Sequence, residues 1–312
     1  MSNINQYKYS VVIPVYNSEE VVGTVLDQSI DFFKANKLAY EIILVNDNSR
    51  DGSWEVIRKA AGRHEHVIAV DLLKNYGQHN AIFCGFQFVT GDYVITLDDD
   101  GQNPPGEMIH LIEYINREGY DAVFGEFYQK QHNIIRRIGT RVINYFNREI
   151  FGKPKDLTLT NFRIIKREVV DRIIRYRTRY PYIPGLVVML SNRMGNVKVL
   201  HKKRETGKSG YNFIKIIKLV SVLLFNYSAF PIRMMSMLGI LVSLSSFTIG
   251  SVYLVRQLFI GSSVAGWTTL VVLISFLGGI IILMLGITGE YIVRTLNQLT
   301  DVKSYHIKEI VK

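Results

Sequence analysis

The first half of the sequence predicts an α/β fold built on a doubly wound, mostly parallel sheet. Short β-rich apolar segments alternate with segments of helical length, a pattern typical of parallel strands joined by helical crossovers. Five strands are predicted, over residues 9–15, 41–46, 67–73, 92–97 and 121–125. The second half contains two uncharged apolar stretches of 22 residues, 234–255 and 268–289. Their length predicts two membrane-spanning helices.

Polar residues follow four of the predicted strands at the points where the strands end. Because such crossovers are right-handed, the strand-to-helix loops lie at one edge of the sheet. The four loops carry Tyr16 with Asn17, Asp47, Lys74 with Asn75, and the triplet Asp98-Asp99-Asp100. Open α/β sheets bind ligands at this edge. The sequence therefore predicts a ligand site where these loops converge.

The aspartate triplet closes the fourth strand and enters a turn that ends in Pro104-Pro105. Like charges this close repel one another, and a divalent cation with oxygen ligands relieves the repulsion. The alternate side chains of Asp98 and Asp100 can share one Mg²⁺ or Mn²⁺ that also holds a diphosphate. A solvated acidic turn is the simpler alternative, but the apolar strand before the triplet and the proline stop after it favour the metal site.

The other loops suit the rest of a nucleotide. Lys74, the backbone around Gly77 and the upstream turns could hold it, and Asp47 could accept a hydrogen bond from a base N–H. If a nucleoside diphosphate is the leaving group, the metal neutralises the charge that develops on the diphosphate.

The formal net charge of +10 indicates anionic partners, which could be nucleic acid, an anionic membrane surface or phosphorylated substrates. The two predicted spans and the lack of an aromatic and basic stacking surface argue against nucleic acid. The one cysteine, Cys84, excludes an intrachain disulfide.

A basic amphipathic helix is predicted over residues 129–155, with Arg136, Arg137 and Arg141 set among apolar residues. An ordinary surface helix is the simpler interpretation, but arginine suits bidentate contact with phosphate. A lipid-borne phosphate is largely ionised at neutral pH and needs positioning more than a strong general base. The cationic loop 202–211 either closes over an anion or is a juxtamembrane segment.

The arrangement in the membrane follows from length and charge. Residues 212–229 hold too few consecutive apolar residues to cross a bilayer and are expected to lie in its interface. The loop between the spans holds one basic residue, Arg256. The outer flanks hold Lys215, Lys218, Arg233, Arg294 and Lys303. Both ends of the chain are therefore predicted to face the cytoplasm.

Five motifs occur along the chain in a fixed order. They are Pro14-Val15-Tyr16-Asn17, residues 45–53, residues 75–79, residues 98–105 and Gly289-Glu290-Tyr291-Ile292. Together they resemble the family 2 inverting glycosyltransferases of GT-A fold, over nearly the whole chain. The closest resemblance is to the members that load a sugar onto polyprenyl phosphate: the dolichyl-phosphate mannose synthases, the bactoprenol glucosyltransferases and the undecaprenyl-phosphate aminoarabinose transferases.

The residue patterns and the resemblance together assign roles to individual residues. Asp100, with Asp98, would hold the metal, and Gln102 would form the floor of the active site. The residues assigned to the nucleotide are Pro14, Tyr16, Asn17, Glu19, Asp47, Lys74, Asn75, Asp98 and Asp99. Those assigned to the acceptor phosphate are Arg136, Arg137, Arg141 and, in the loop that closes on the substrates, Arg204, Ser209 and Tyr211. A homo-oligomer, namely a tetramer, is also implied.

The sequence departs from the family pattern at four places. Ser18 precedes Glu19 where the family often has the acid directly after asparagine, and Gly101 replaces leucine before Gln102. Gly125-Glu126-Phe127 stands where many members have Gly-Ser-Arg, which removes one expected phosphate-binding arginine. Asn161 stands where some relatives have an acid proposed as the base, and Asp156 is the nearest substitute.

These inferences give one hypothesis for the whole chain. Residues 1–211 form a cytoplasmic catalytic domain, 212–232 an interfacial helix and connector, 233–292 a two-helix membrane domain and 293–312 a cytoplasmic tail. The chain would be a metal-dependent, multi-pass enzyme of the inner membrane. It would transfer one sugar, with inversion, from a nucleotide diphosphate sugar (UDP is favoured) to undecaprenyl phosphate for modification of cell-envelope glycans such as lipopolysaccharide. A processive polysaccharide synthase and a non-catalytic membrane scaffold are the alternatives.

Overall fold

The chain folds into two compact units. A computed structural model describes residues 4–127, 134–176, 178, 180–202, 213–228, 230–235, 237–239, 241–242, 244–245, 248, 259, 266–299 and 304–312. One unit comprises Met1–Ile217 together with Val302–Lys312, and the other comprises Lys218–Asp301. The C-terminal residues therefore belong to the same unit as the N-terminal ones.

The first unit is built on an eight-stranded mixed sheet. Its strands are β1 (Lys8–Val15), β2 (Ala39–Asn46), β3 (Val67–Leu72), β4 (Tyr93–Thr96), β5 (Ala122–Phe127), β6 (Arg163–Lys166), β7 (Met194–Val199) and β8 (Ile307–Val311). Their order is β7-β5-β6-β4-β1-β2-β3-β8. The central four, β4, β1, β2 and β3, are parallel to one another. This confirms the doubly wound parallel core that the alternating pattern predicts.

Helices connect and cover these strands. In the first unit they are α1 (Glu19–Ala35), α2 (Ser53–Ala61), α3 (Gln78–Phe86), α4 (Met108–Glu118), α5 (Ile134–Phe151), α6 (Arg167–Arg175) and α7 (Ile183–Leu190). They are followed by α8 (Phe213–Tyr227) and α9 (Trp267–Leu299). Two 3-10 turns lie at Ile4–Gln6 and Pro105–Glu107.

The main core lies between the sheet and α1. Val22, Val25, Leu26 and Phe33 are buried at the three- and four-residue spacing of one helix face, and they pack with buried β1 residues such as Ile13. Burying an aliphatic or aromatic side chain of this size contributes about 1.5–3 kcal/mol. The packing fixes the position of the β1–α1 connection.

The sheet differs from the sequence prediction in three strands, namely β6 inside the sheet, β7 at one edge and β8 at the other. β6, which the sequence did not predict as a strand, runs antiparallel between β4 and β5. It is only four residues long and carries charged residues at both ends. Its sequence is therefore too short to show the pattern of a strand. Residues 293–312, predicted as a tail, instead contain the end of α9 and the strand β8, which pairs antiparallel with β3. A short edge strand of this kind is decided by its partner strand more than by its own sequence.

The second unit holds the apolar helix α9, which covers the predicted span 268–289. Among the described residues, one stretch, Phe276–Val293, is long and apolar enough to cross a membrane. α8 coincides with the segment predicted to lie in the interface. Much of the other predicted span, 234–255, lies outside the described residues.

The close approach of α3 to β1 can be tested at Gly85. A Cβ added there would overlap Val12 Cγ1 and meet Val45 Cγ2 at 3.3 Å. Gly85→Ala is therefore expected to push α3 from the sheet and lower the free energy of unfolding by about 1–3 kcal/mol. Urea unfolding followed by tryptophan fluorescence measures the loss. Gly106→Ala, where an added Cβ meets no atom within 4 Å, is the control, and equal stability of the two variants would contradict the close packing.

Candidate active site

Four loops meet at the carboxyl edge of the parallel strands. Loop 1 is residues 16–18 after β1, loop 2 is 47–52 after β2, loop 3 is 73–77 after β3, and loop 4 is 97–104 after β4. Hydrogen bonds from these loops, or from the first residue of the helix that follows a loop, join each loop to the next and loop 4 back to loop 1. We call this closed set of contacts the loop circuit. It confirms the convergence that the right-handed crossovers predict.

Loops 4 and 1 are joined by Asp99. Its Oδ2 accepts a hydrogen bond from the backbone N–H of Tyr16 at 2.9 Å and from the hydroxyl of Ser18 at 2.6 Å. Burial raises the pKa of Asp99. The middle aspartate, which the sequence analysis assigned to the nucleotide, therefore holds the first loop against the carboxylate triplet. Ser18, a departure from the family pattern, supplies one of the two donors.

Loops 1 and 2 are joined through Asn17 and Glu19. The N–H of Asn17 donates to Ser49 Oγ at 3.0 Å, and its Oδ1 accepts from the N–H of Arg50 at 2.8 Å. Asn17 has a φ of +51°, which asparagine tolerates better than most residues. Glu19, at the start of α1, accepts from the N–H of Gly52 at 2.8 Å. Both residues assigned to the nucleotide thus also fix the neighbouring loop.

Loops 2 and 3 are joined by Asp47. The backbone N–H groups of Tyr76 and Gly77 donate to its two carboxylate oxygens at 2.7 and 2.8 Å. Gly77 has a φ of +89°, a conformation that favours glycine. Burial raises the pKa of Asp47 to about 6, and the two N–H bonds oppose the rise. Asp47 therefore shapes the third loop, with lone pairs left for a ligand.

Loops 3 and 4 are joined by Gln78, the first residue of α3. Its Nε2 donates to Asp98 Oδ1 at 2.6 Å. Burial, followed by the charges of Asp100 and Asp99, raises the pKa of Asp98 to about 7, and Arg163 opposes the rise. The repulsion within the triplet, expected from the sequence, is thus present in the folded chain.

Arg163 is a fully buried residue that the sequence reasoning missed. It begins β6 directly opposite Thr96 of β4, so it lies beside the strand that carries the triplet. Its three guanidinium nitrogens have no hydrogen-bond partner among the described residues. Burial lowers the pKa of Arg163 to about 10, and the carboxylate of Asp98 counteracts this. Arg163 is therefore a buried counter-charge for Asp98. The signal for it in the sequence was an arginine within an otherwise apolar segment.

The donor atoms suit a hard divalent cation. Asp98 and Asp100 offer carboxylate oxygens, the ligands preferred by Mg²⁺ and Mn²⁺. The described residues contain no group of three or more His, Cys, Asp or Glu side chains arranged to hold a metal ion. Two carboxylates with the remaining ligands from substrate phosphates and water is the usual way in which Mg²⁺ is held. The residues present fit a metal shared with a diphosphate.

Gln102 links loop 4 to the segment that leads into the cationic loop. Its backbone N–H donates to Asp100 Oδ1 at 3.1 Å. Its carbonyl accepts from the N–H of Lys202 at 2.8 Å, and its Nε2 donates to the Lys202 carbonyl at 3.4 Å. His201 stacks on Phe127 with ring centroids 4.1 Å apart. The residues just before 203–211 are therefore fixed against the carboxylate loop.

The remaining residues assigned to the nucleotide or to catalysis lie in β1, in loop 3 and in the turn before β6. Pro14 is buried within β1, beyond the last residue that pairs with β4. Lys74 and Asn75 are exposed on loop 3, where Lys74 lies 5.3 Å from the ring centroid of Tyr76 and Asn75 donates to the Asp47 carbonyl at 3.2 Å. Asp156 is exposed in a turn before β6.

The arginines assigned to the acceptor lie on α5 or beyond the described residues. Arg141 is exposed on α5, and Arg136 and Arg137 lie in the first turns of α5, where the structure describes the backbone. Arg204, Ser209 and Tyr211 lie outside the described residues. Further along α5, Asn147 donates to the Tyr182 hydroxyl at 3.2 Å, and the Tyr182 ring packs edge-on against His79 at 5.3 Å. Side chains thus connect α5 to α3.

Residues 10–174 match the family model described as glycosyl transferase family 2. The chain belongs to this family. Proteins named undecaprenyl-phosphate 4-deoxy-4-formamido-L-arabinose transferase are similar along the whole chain. The one from Yersinia enterocolitica is 36% identical over 308 residues, covering 97% of this chain and 94% of that protein. The one from Pectobacterium atrosepticum is 37% identical over 306 residues, covering 97% and 93%.

Comparison of folds agrees with the family. Glucosyl-3-phosphoglycerate synthase from Mycobacterium tuberculosis, in complex with Mn²⁺, UDP and phosphoglyceric acid, superposes with a TM-score of 0.51 at 18% identity, covering 71% of this chain and 78% of that one. The similarity confirms a GT-A-like α/β fold with a mixed sheet. The motif-based resemblance is confirmed, and the chain is a glycosyltransferase.

The raised pKa of Asp47 predicts a pH-dependent nucleotide affinity. Below pH about 6 the carboxyl group becomes protonated and is a poorer acceptor for the Tyr76 and Gly77 amides, so loop 3 loosens. The Kd for a UDP-sugar, whose esterified diphosphate does not titrate here, should rise as the pH falls from about 7 to about 5. Isothermal calorimetry measures it.

Asp47→Asn should weaken binding about tenfold near neutral pH, because its amide group faces backbone donors. It should also remove the part of the pH dependence centred near pH 6 and leave the part that Asp98 contributes near pH 7. Asp27→Asn, at an exposed position on α1, should keep the wild-type profile. A wild-type profile that is already flat would show that Asp47 does not control this loop.

Proposed function

We propose that this family 2 enzyme transfers one sugar, with inversion, from a UDP-linked sugar to undecaprenyl phosphate at the cytoplasmic face of the inner membrane. The observation that carries the proposal is the loop circuit around the aspartate triplet, in a chain whose full-length relatives are undecaprenyl-phosphate sugar transferases. The lipid-linked sugar would serve cell-envelope modification.

The donor nucleotide binds within the loop circuit. Tyr16 is 45% exposed on loop 1 and offers a ring for the base, while Asp47 accepts from a base N–H. Lys74, exposed on loop 3, supplies positive charge for the phosphates. The M. tuberculosis enzyme of similar fold was crystallised with UDP, which supports UDP over other nucleotides.

Asp98 and Asp100 would hold the Mg²⁺ or Mn²⁺, and Mn²⁺ accompanies UDP in the M. tuberculosis enzyme. The bound ion would neutralise negative charge on the departing diphosphate. Asp99 and Gln78 keep the two carboxylates in place through their bonds to loops 1 and 4. Arg163 favours the charged form of Asp98 from within the protein.

The acceptor phosphate is positioned by cationic side chains. Arg141 is exposed on α5, and Arg136 lies about one and a half turns earlier on the same helix. An ionised phosphate oxygen is itself a nucleophile, so orientation and the exclusion of water contribute more than proton removal. Asp156 is the residue proposed to act as a base where one is needed.

The return of β8 to the catalytic sheet supports an even number of membrane crossings. Met1–Ile217 and Val302–Lys312 belong to one folded unit, so the chain between them must leave and re-enter the same compartment. Apolar side chains of α9 are exposed to a degree uncommon in a soluble monomer. They include Leu270, Ile274, Phe276, Ile281, Leu283, Leu285, Ile292 and Val293. We therefore place two spans here, over 234–255 and 268–289.

The metal assignment is tested by Asp100→Asn. The variant should reduce Mn²⁺-dependent transfer of radiolabelled sugar, from a panel of UDP-sugars into undecaprenyl phosphate, by at least about 100-fold, because one carboxylate of the pair is lost. Asp27→Asn should retain wild-type activity. Transfer that survives both Asp100→Asn and chelation of divalent ions would rule out the metal site.

The proposed arrangement in the membrane is tested by labelling introduced cysteines in intact cells. Ser262 lies in the loop between the proposed spans. The cysteine of Ser262→Cys should therefore react with a membrane-impermeant maleimide. Lys312→Cys, at the end of the unit that contains the catalytic sheet, should react only after the membrane is broken. Cys84 is buried and gives a low background. Labelling of both variants, or of neither, in intact cells would contradict two spans.

A further inference from the structure

The strand β8 lies beside loop 3, which is one of the three loops proposed to hold the nucleotide. We call these three loops, 1 to 3, the nucleotide loops. β8 pairs with β3, the strand that leads into loop 3, and its register includes Asp71 opposite Glu309 and Leu72 opposite Ile307. We infer that the segment 305–311 positions the nucleotide loops, through Lys308 above all, and thereby sets the affinity for the UDP-sugar. This inference rests on the proposed nucleotide site.

A continuous series of hydrogen bonds runs from Lys308 to loop 1. The Lys308 ammonium donates to Asp71 Oδ2 at 3.0 Å, and Asn46 Nδ2 donates to Asp71 Oδ1 at 2.7 Å. Asn46 Oδ1 accepts from the Ser49 hydroxyl at 2.6 Å. Ser49 Oγ accepts from the N–H of Asn17 at 3.0 Å. The ammonium on the last strand is thus four hydrogen bonds from the first loop of the site.

A second connection reaches loop 3 through the backbone. The N–H of Leu73, the first residue of loop 3, donates to the His306 carbonyl at 2.9 Å. The Leu73 carbonyl accepts from Asn48 Nδ2 of loop 2 at 3.2 Å. The segment therefore binds the residue from which loop 3 departs, two residues before the Asn75 side chain that contacts Asp47.

Lys308 is important because Asp71 is buried. The Asp71 side chain is 4% exposed, whereas that of Lys308 is 58% exposed. A carboxylate removed from water needs a charged or hydrogen-bonding partner, and among the described contacts Lys308 is its cationic one. The ion pair raises the pKa of Lys308. Without the ammonium, the Asp71 carboxylate would lose its charged partner, and the acceptor that it offers to Asn46 would be less firmly held.

Tyr305 attaches the same segment to α3. Its ring lies edge-on to Phe83 with centroids 6.4 Å apart, and its hydroxyl interacts with the thiol of Cys84. Gln78, which binds Asp98, begins the same helix. The C-terminal segment therefore contacts both β3 and α3, the two elements that loop 3 connects.

The test compares Lys308→Met, Lys308→Arg and wild type in the full-length enzyme, with Lys312→Met as the control at an exposed position on the same terminus. We expect Lys308→Met to raise the KM and the Kd for the UDP-sugar about five- to tenfold. The KM for undecaprenyl phosphate and the kcat should stay within about twofold. Lys308→Arg should restore most of the affinity because it keeps the charge. A double variant with Asp71→Asn should lose less than the sum of the two single losses.

The outcomes separate this inference from the proposed function. Unchanged nucleotide affinity in Lys308→Met, with normal affinity in wild type, overturns the inference alone. A parallel loss in both KM values and in stability assigns Lys308 a purely structural role and also overturns it. Failure of the wild-type enzyme to bind any UDP-sugar removes the proposed function itself. A selective loss of UDP-sugar affinity with rescue by arginine supports the positioning role.

Discussion

The geometry of the site depends on one buried and one half-buried carboxylate that accept hydrogen bonds from loop backbones. Beyond the edge of the sheet, where strands no longer pair, the carboxylates of Asp47 and Asp99 accept hydrogen bonds from backbone N–H groups of neighbouring loops. Charge-assisted bonds of this kind are shorter and stronger than neutral ones. They order the loops before a ligand arrives, so that less conformational entropy is lost when the nucleotide binds. Preorganisation therefore originates in acids that need not touch the sugar.

Several acids within one small region would destabilise the fold without compensating charge. The protein supplies such compensation with two cationic side chains. Arg163 lies buried beside Asp98, and Lys308 lies at the surface against Asp71. A metal ion and cationic loops would complete the balance on the solvent side. The enzyme thus carries its negative charges where a cation and a diphosphate can meet.

The sequence predicted the parallel core because its signal is local and repeated. Strand and helix periodicities alternate over the first 120 residues, and right-handed crossovers then bring the four loops together. β6 and β8 escaped prediction because each is short and is specified by a distant partner strand. The function of Asp99 escaped because its partner, Ser18, is 81 residues away in the chain. The motifs identify which acidic residues belong to the site, whereas the fold determines which loop each of them holds.

The position of β8 makes residues 218–301 an insertion within the catalytic fold. Residues of the eighth strand leave the ribosome after both apolar stretches have been made. The sheet can therefore be completed only once the inserted unit has been synthesised. A chain that stops before residue 307 lacks the edge strand beside loop 3. Completion of the catalytic sheet is in this way tied to synthesis of the apolar unit.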